Sequence, residues 1–199
     1  MATKGDRTRE RILAEASRLI LCKGLTATTV HDLMAATGLR KGSLYFHFPN
    51  KQDICLEVLR QAGLQFMAFL DRTLSGDSPG GCLDHFFREA LELHRQNRFI
   101  GGCLFGNTAL EASDTDPEAA ALVAGIFADW ISRIQKVVES AQETGQVRSD
   151  LPARELAEFV VAAVEGGIMQ ARLIKDEKPM ARCLDVLRTT LELRISSSA

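Results

Sequence analysis

Two short helical patterns joined by a tight turn occupy residues 28–51, with the sequence TTVHDLMAATGLRKGSLYFHFPNK. Thr29 precedes the first pattern as an N-cap, and the apolar positions that follow recur with the spacing of one helical face. Gly38 ends this helix, because glycine readily adopts the left-handed conformation found at helix ends. The rest of the chain has to be compatible with a helix-turn-helix at this position.

The second helical pattern covers residues 41–47 and carries lysine, serine, tyrosine and histidine side chains. Pro49 ends it, because a proline disfavours the helical conformation of the residue before it. Asn50 is then a favourable N-cap for a new helix that begins at Lys51. A basic and aromatic helix that follows a tight turn is suited to enter the major groove of DNA.

A dense set of residues in this segment matches a known pattern, namely Thr29, Val30, Asp32, Leu33, Met34, Thr37, Gly38, Leu39, Arg40, Lys41, Gly42, Ser43, Leu44, Tyr45, His47, Phe48 and Lys51. With these residues the segment resembles the helix-turn-helix of the TetR family of bacterial transcriptional regulators. Leu33-Met34 replaces a more usual Ile-Ala pair and Thr37 a more usual alanine, and both changes preserve size and placement. The resemblance implies that the second helix is the recognition helix.

The resemblance and the side-chain chemistry together predict a DNA-binding set that consists of Thr29, Arg40, Lys41, Gly42, Ser43, Tyr45, His47 and Lys51. Lys41 and Lys51 are cations placed to meet phosphates. Thr29 lies at a helix N-terminus, where backbone N–H groups also bind phosphate. Arg40 is suited either to read guanine or to hold phosphate.

Ser43, Tyr45 and His47 are hydrogen-bond donors that either position the DNA backbone or touch base edges. The sequence leaves open which of them reads bases. Packing inside a small domain is the alternative role for Tyr45, and it is the favoured role for Phe48.

Charge is distributed unevenly along a chain whose formal net charge is −2. Residues 1–51 contain nine Lys and Arg against four Asp and Glu, a net charge of +5, and residues 52–199 carry −7. A basic N-terminal segment followed by an acidic C-terminal part is typical of a DNA-binding domain joined to a domain that binds another partner. We therefore expect a DNA-binding domain at 1–50 and an effector-binding and dimerisation domain at 51–199.

Apolar residues recur at helical spacing along the rest of the chain, without strand-like alternation. One helix is predicted over residues 7–22, and another runs from Lys51 to about Leu74 without an internal break. Further helices are predicted over residues 83–96, 107–112, 117–145, 152–174 and 179–191. The sequence thus predicts an all-α fold of about nine helices with a three-helix N-terminal head.

Small and apolar residues on the last two predicted helices mark a candidate dimer interface. Alanine and glycine permit close approach between helices, and the resemblance implies a four-helix interface with a second copy of the chain. Packing inside the protomer is the alternative for each residue. The predicted interface residues are Phe159, Ala163, Gly167, Leu184, Leu187 and Leu191.

Aromatic residues are frequent in the C-terminal part of the chain, and as a set they suit an apolar effector pocket between helices, where the family binds ligands. Core packing is the alternative for any single aromatic residue. Glu165 and Gln170 are polar residues that either anchor a ligand or lie at a solvated or dimer rim. The predicted pocket residues are Phe66, Phe69, Phe86, Phe87, Cys103, Phe105, Phe127, Trp130, Phe159 and Glu165.

Five cysteines occur without a CxxC pair or a zinc-like spacing to the four histidines, so free thiols are expected. Cys103 lies in a glycine-flanked turn just before a helix, whose N-terminus favours a reactive thiolate. Some family members sense electrophiles or oxidants through a cysteine in a similar context. A redox or electrophile sensor triggered at Cys103 is therefore an alternative to a sensor of a small effector.

Motifs of other functional classes are absent from the sequence, including the GxxxxGK[ST] phosphate loop, HExxH and GxSxG. We therefore predict no catalytic residue, no cofactor and no metal. The chain has no apolar run long enough to span a membrane and no apolar N-terminal segment, so a cytoplasmic protein is expected.

The sequence as a whole predicts a homodimeric transcriptional regulator, not an enzyme, that represses by binding a palindromic double-stranded DNA operator. A small, largely apolar effector would release the operator by favouring a different spacing of the two recognition helices. The long helix from Lys51, shared by both domains, is suited to transmit that shift. The alternative from another class is a helical small-molecule-binding protein that keeps the head only as a structural element.

Overall fold

The computed structural model describes residues 3–195, and these form nine α-helices and no strand. The helices are α1 (Lys4–Lys23), α2 (Val30–Thr37), α3 (Lys41–His47), α4 (Lys51–Thr73), α5 (Pro79–Gln96), α6 (Leu104–Ala112), α7 (Pro117–Glu143), α8 (Ala153–Ile174) and α9 (Lys178–Thr190). The predicted all-α fold is confirmed, and so is the uninterrupted helix that begins at Lys51.

The first two helices each begin with a capping box. The hydroxyl of Thr3 accepts a hydrogen bond from the Asp6 N–H, and the hydroxyl of Thr29 accepts one from the Asp32 N–H at 3.1 Å. In each box the aspartate accepts a bond from the threonine N–H, which satisfies a second helix-end donor. Gly38 follows α2 with a φ of 66°, as predicted for a left-handed helix end.

Helix α5 begins at Pro79, earlier than the predicted Leu83. The hydroxyl of Ser78 accepts a hydrogen bond from the Gly81 N–H and caps the helix. Pro79 then occupies the first turn, where its missing N–H has no helical partner to lose.

Helix α6 begins at Leu104 instead of the predicted Asn107. The connection from α5 covers residues 97–103 and ends with Gly101, Gly102 and Cys103. Both glycines have positive φ, 84° and 68°, which non-glycine residues rarely adopt. Cys103 is therefore the residue immediately before the helix.

The described residues divide into two compact units. The first contains the residues up to Leu64 together with Leu104–Gly125, and thus α1 to α3, the first part of α4, α6 and the start of α7. The three N-terminal helices pack on one another around an apolar core. Its buried residues include Ile12, Leu13, Ala16, Ile20, Leu33 and Leu44.

The second unit contains Gln65–Cys103 together with the residues from Ile126 onward. Helix α9 packs along α8 and also against α5. The Arg188 guanidinium donates a hydrogen bond to Asp84 at 2.7 Å, which links α9 to α5. A Cβ atom on Gly167 would lie 3.2 Å from the Cβ of Cys183, so the missing side chain permits the close approach of α8 and α9.

Helix α4 contributes residues to both compact units. The predicted assignment of DNA binding to residues 1–50 and of effector binding and dimerisation to 51–199 concerns activities, and it stays a prediction. Among the helices of the described residues, none has the length and apolar content that crossing a lipid bilayer requires.

Candidate nucleic-acid interface and effector site

Helix α3 has one buried side and one exposed side. Leu44 on the helix and Phe48 just after it are buried, which confirms the packing role favoured for Phe48. Gly42, Ser43 and Phe46 are exposed. Because α3 contains no acidic residue, its exposed side does not repel a polyanion such as DNA.

Two predicted phosphate-binding cations lie at the start of α3. Arg40 is the N-cap residue, and its carbonyl oxygen accepts hydrogen bonds from the N–H groups of Ser43 and Leu44. The ammonium of Lys41 lies 5.8 Å from the centroid of the Tyr45 ring, within cation–π distance. Both cationic side chains are exposed at the N-terminal end of α3, and the DNA contacts predicted for them stay a prediction.

Tyr45 and His47 are partly buried, so each combines packing with an accessible edge. The imidazole of His47 lies edge-on to the Phe46 ring, with centroids 5.2 Å apart and an interplanar angle of 87°. Whether Tyr45 and His47 contact bases or phosphates stays a prediction.

The hydroxyl of Thr29 serves the cap of α2. It donates a hydrogen bond to Asp32 at 2.7 Å, in addition to the bond that it accepts from the Asp32 N–H. The second carboxylate oxygen of Asp32 lies 2.7 Å from the ammonium of Lys23. Hydrogen bonds from Lys23 and Thr29 hold the pKa of Asp32 well below its usual range. The phosphate contact predicted for Thr29 stays a prediction.

The side chain of Lys51 is partly buried and is bonded to the protein's own backbone. Its ammonium donates hydrogen bonds to the carbonyl oxygens of Leu25 at 3.2 Å, Thr26 at 3.3 Å and Thr28 at 2.8 Å. An ammonium has three N–H donors, and these three bonds use them all. This geometry does not support the phosphate contact predicted for Lys51, which instead fastens the loop that leads to Thr29.

The same loop is held from the side of α6. The N–H of Thr26 donates to the Glu111 carboxylate at 3.1 Å, and a Cβ atom on Gly24 would lie 2.8 Å from that same oxygen. The amide of Gln52 donates to Asp116 at 2.6 Å, which links α4 to the N-cap of α7 within the first unit. The sequence does not predict this role of Glu111, because acidic residues are common on the exposed sides of helices.

Phe46 is a candidate functional residue that the sequence-based set leaves out. Its side chain is 84% exposed, whereas most phenylalanines are buried. The exposure of Phe46 follows from helical spacing. Leu44 and Phe48 are four residues apart on the buried side, so residue 46 between them faces outward.

Six of the predicted pocket residues form a continuous aromatic cluster in the second unit, namely Phe66, Phe69, Phe86, Phe87, Phe127 and Trp130. The centroid of the Trp130 ring lies 5.0 Å from that of Phe66, 6.3 Å from Phe86 and 5.9 Å from Phe127. Phe86, Phe87 and Trp130 are buried, and the other three are partly buried against them.

The predicted pocket has two further aromatic residues, Phe159 and Phe105. Phe159 is 47% exposed, which does not support the pocket role predicted for it. The helical phase of α8 turns Val160 inward and Phe159 outward. Phe105 is assigned to the first compact unit, and its pocket role stays a prediction.

Two buried polar atoms of the second unit, Trp130 Nε1 and Glu165 Oε1, have no hydrogen-bond partner among the described residues. Burial raises the pKa of Glu165, and a hydrogen bond from the thiol of Cys103 acts in the opposite direction. An unpaired buried polar atom costs about 1–3 kcal/mol, so a pair of them needs an explanation.

The thiol of Cys103 lies directly before α6, as predicted, and donates its hydrogen to Glu165. A neighbouring carboxylate opposes the formation of negative charge on the sulfur, whereas the helix N-terminus favours it. The geometry therefore does not favour the covalent sensor over the effector pocket, and the role of Cys103 stays a prediction.

Four of the six predicted dimer-interface residues lie inside the protomer. Leu184, Leu187 and Leu191 are at most 1% exposed, and Gly167 is buried where α8 meets α9. The interface role predicted for these four is wrong, because an apolar helical face does not reveal whether its own protomer covers it. Ala163 is partly buried against the same core.

An apolar stripe runs along α8, and it consists of Phe159, Ala162, Gly166, Met169 and Leu173. Gly166 is partly buried, and the other four are exposed. The steps between these positions alternate between three and four residues, which is the spacing that keeps a seam facing a partner helix. Met169 is 60% exposed and Leu173 80% exposed, and Val186 on α9 is 61% exposed.

Two family models match the chain. The model described as "Bacterial regulatory proteins, tetR family" matches residues 12–58, which contain α2 and α3. The model described as "Tetracyclin repressor-like, C-terminal domain" matches residues 79–187. Together they cover both compact units in part.

Curated relatives and solved structures agree with these matches. The HTH-type transcriptional repressor DhaR from Mycobacterium sp. (strain GP1) is 30% identical over 186 residues, which cover 90% of this chain and 89% of that protein. The transcriptional regulator AcuR from Cereibacter sphaeroides is 30% identical over 76% of this chain and 70% of that protein. The crystal structure of a TetR transcriptional regulator from Chloroflexus aurantiacus superposes with a TM-score of 0.88, at 30% identity over 97% of this chain and 99% of that one.

Proposed function

The chain belongs to the TetR family of DNA-binding transcriptional regulators, and from that membership we propose that it acts in the cytoplasm as a homodimeric repressor. The dimer binds a palindromic double-stranded DNA operator through α3, and a small, largely apolar effector releases it. The observation that carries this proposal is the capped helix-turn-helix, whose second helix is basic and free of acidic residues. A relative named a transcriptional repressor supports repression over activation.

Electrostatics supports DNA binding by the N-terminal helices. The acidic residues Asp6 and Asp32 are engaged in helix caps, and Glu15 pairs with Arg18 at 3.1 Å. Arg40 and Lys41 project at the start of α3. Neutralising phosphates with such cations releases counterions, so operator affinity should fall steeply with salt.

The exposed stripe on α8 supports self-association. Its spacing suits helix-on-helix packing, and Gly166 lies in it with no atom within 4 Å of an added Cβ, which leaves room for a partner helix. Two-fold pairing through this stripe would present two α3 helices to a palindrome. Half-sites on one face of DNA lie about 34–36 Å apart, or multiples of that distance.

The aromatic cluster around Trp130 supports an apolar effector. Among the described residues, no hydrogen-bond acceptor contacts the Trp130 N–H, and no donor contacts the Glu165 Oε1 atom. An effector with an apolar body and an acceptor group would satisfy the Trp130 N–H, and one with a hydroxyl or N–H group would satisfy the Glu165 oxygen. Closure of the aromatic side chains around it would favour one of two arrangements of the helices.

A footprint tests the DNA-binding part of the proposal. The purified protein is added to the DNA upstream of its own gene, and the protected sequence is then measured for affinity across a salt series. We expect protection of a palindrome and a steep loss of affinity with salt. A scrambled duplex of equal length is the matched control, and equal affinity for both duplexes would exclude an operator-binding regulator.

Intrinsic fluorescence tests the effector part, because Trp130 is the single tryptophan of the chain. A panel of small aromatic and aliphatic compounds is screened for quenching of Trp130 and, in parallel, for release of the labelled operator. We expect the same compounds to do both. Release by compounds that leave the fluorescence of Trp130 unchanged would place the effector elsewhere.

A further inference from the structure

We propose that Phe46 reads the C5-methyl group of a thymine in each half-site of the operator, as an apolar contact in the major groove. This role rests on the proposed function of α3. Phe46 is 84% exposed, so the protomer core does not account for it. A large apolar ring on the recognition helix is therefore available to a partner outside the chain.

The position of Phe46 on α3 directs its ring toward the leading part of the helix. Helical side chains lean toward the N-terminus, over the residues three and four positions earlier, which here are Ser43 and Gly42. Gly42 has no side chain, and no atom lies within 4 Å of an added Cβ. His47 contacts the ring edge-on with centroids 5.2 Å apart. One face of the ring is thus left uncovered beside the residues that approach DNA.

The surroundings of Phe46 indicate a nucleic acid as its partner. Arg40 caps this short helix and Lys41 begins it, and the helix has no acidic residue. A phenyl ring cannot hydrogen-bond to a phosphate or to a base edge, so it needs an apolar partner. In the major groove that partner is the thymine methyl group, the apolar feature by which a base pair is distinguished there.

The test uses an operator defined by the protein itself. Repeated selection of bound DNA from a randomised duplex pool yields the preferred sequence of the full-length protein. Each thymine of that duplex is then replaced in turn by uracil, which removes only the methyl group. Affinities are measured for the wild type and for Phe46→Ala on every duplex.

We expect one uracil position in each half-site to weaken wild-type binding about fourfold, the loss expected from one buried methyl-sized group. Phe46→Ala should bind the thymine duplex more weakly and should not distinguish thymine from uracil at that position. Leu110→Ala is the matched control, because Leu110 is also 84% exposed but lies on α6. It should keep the full preference for thymine.

Two outcomes overturn the role of Phe46. Either no uracil substitution affects the wild type, or Phe46→Ala remains as sensitive to uracil as the wild type. Both differ from failure of the proposed function, in which selection enriches no sequence at all. A circular dichroism spectrum of Phe46→Ala that matches the wild type excludes unfolding as the cause of its weaker binding.

Discussion

The ammonium of Lys51 lies 2.8 Å from the carbonyl oxygen of Thr28, one residue before the N-cap of α2. A cation in the first turn of a helix is disfavoured by the helix dipole, so its position needs compensation. Three carbonyl oxygens supply that compensation and fasten the α1–α2 loop to the start of α4. Lys51, which was predicted to bind a DNA phosphate, thus stabilises the loop between α1 and α2.

Lys51→Met should lower the free energy of unfolding by about 1–3 kcal/mol, because it leaves loop carbonyl groups without a donor. It should weaken operator binding without changing the slope of log affinity against log salt. Lys41→Met is the matched control, and it should reduce that slope by about one without loss of stability. Urea unfolding and binding across a salt series measure both quantities. A reduced slope for Lys51→Met would restore the phosphate contact.

Gly24→Ala should destabilise the first unit. The φ of Gly24 is 97°, which alanine rarely adopts, and the new Cβ would meet the carboxylate of Glu111. We expect the free energy of unfolding to fall by about 1–2 kcal/mol. Operator binding should also weaken, because the loop leads to the helix-turn-helix. Glu111→Ala by itself loses the bond from the Thr26 N–H, so it is the reference for the double variant, which should be less stable than it by the backbone strain alone. Equal thermal stability of the double variant and Glu111→Ala would show that backbone strain contributes nothing.

Asp84→Asn should make the protein less stable at neutral pH and less sensitive to acid. Burial raises the pKa of Asp84, but hydrogen bonds from Arg188 and Arg88 outweigh it, so the net pKa is below the ordinary 3.8. A lowered carboxyl pKa stabilises the fold above the unfolded value and stops doing so as the pH falls through the folded value. We expect a loss of about 1–2 kcal/mol at pH 7 that shrinks on acidification, measured by urea unfolding.

The control for that pH dependence is Asp185→Asn, which removes the other carboxylate partner of Arg188. Asp185 is 75% exposed in its side chain, so the pair should contribute less than about 1 kcal/mol. Equal losses for Asp84→Asn and Asp185→Asn would contradict the assignment of the α5–α9 link to Asp84.

Leu173→Glu should separate the two protomers while each remains folded, because Leu173 is 80% exposed on the α8 stripe. Leu184→Ala should instead lower the free energy of unfolding by about 2–5 kcal/mol, since Leu184 is buried in the protomer. Sedimentation equilibrium reports the first effect and thermal unfolding the second. If the Leu173→Glu variant remained dimeric, the dimer interface would not lie on this stripe.

Local signals along the chain specify the helices and the position of the helix-turn-helix. Caps, glycines and prolines act on their near neighbours, which is why Thr29, Gly38 and Pro49 mark helix boundaries correctly. Where the sequence-based boundary differs, as at Pro79, the cap residue Ser78 lies in a segment rich in glycine and serine, a composition that also predicts a loop. The family motif likewise lies within one local segment.

The packing of the helices shows what covers each apolar face and what each long side chain contacts, and local signals do not. Helical periodicity shows that Leu184 and Phe159 lie on apolar faces, but burial in the protomer or exposure depends on where other helices pass. Lys51 bonds to Thr28, 23 residues away in the chain, and no local pattern specifies that distance. The physical reason is that caps and turns depend on bonds between near neighbours, whereas burial and ion placement depend on the packing of distant segments.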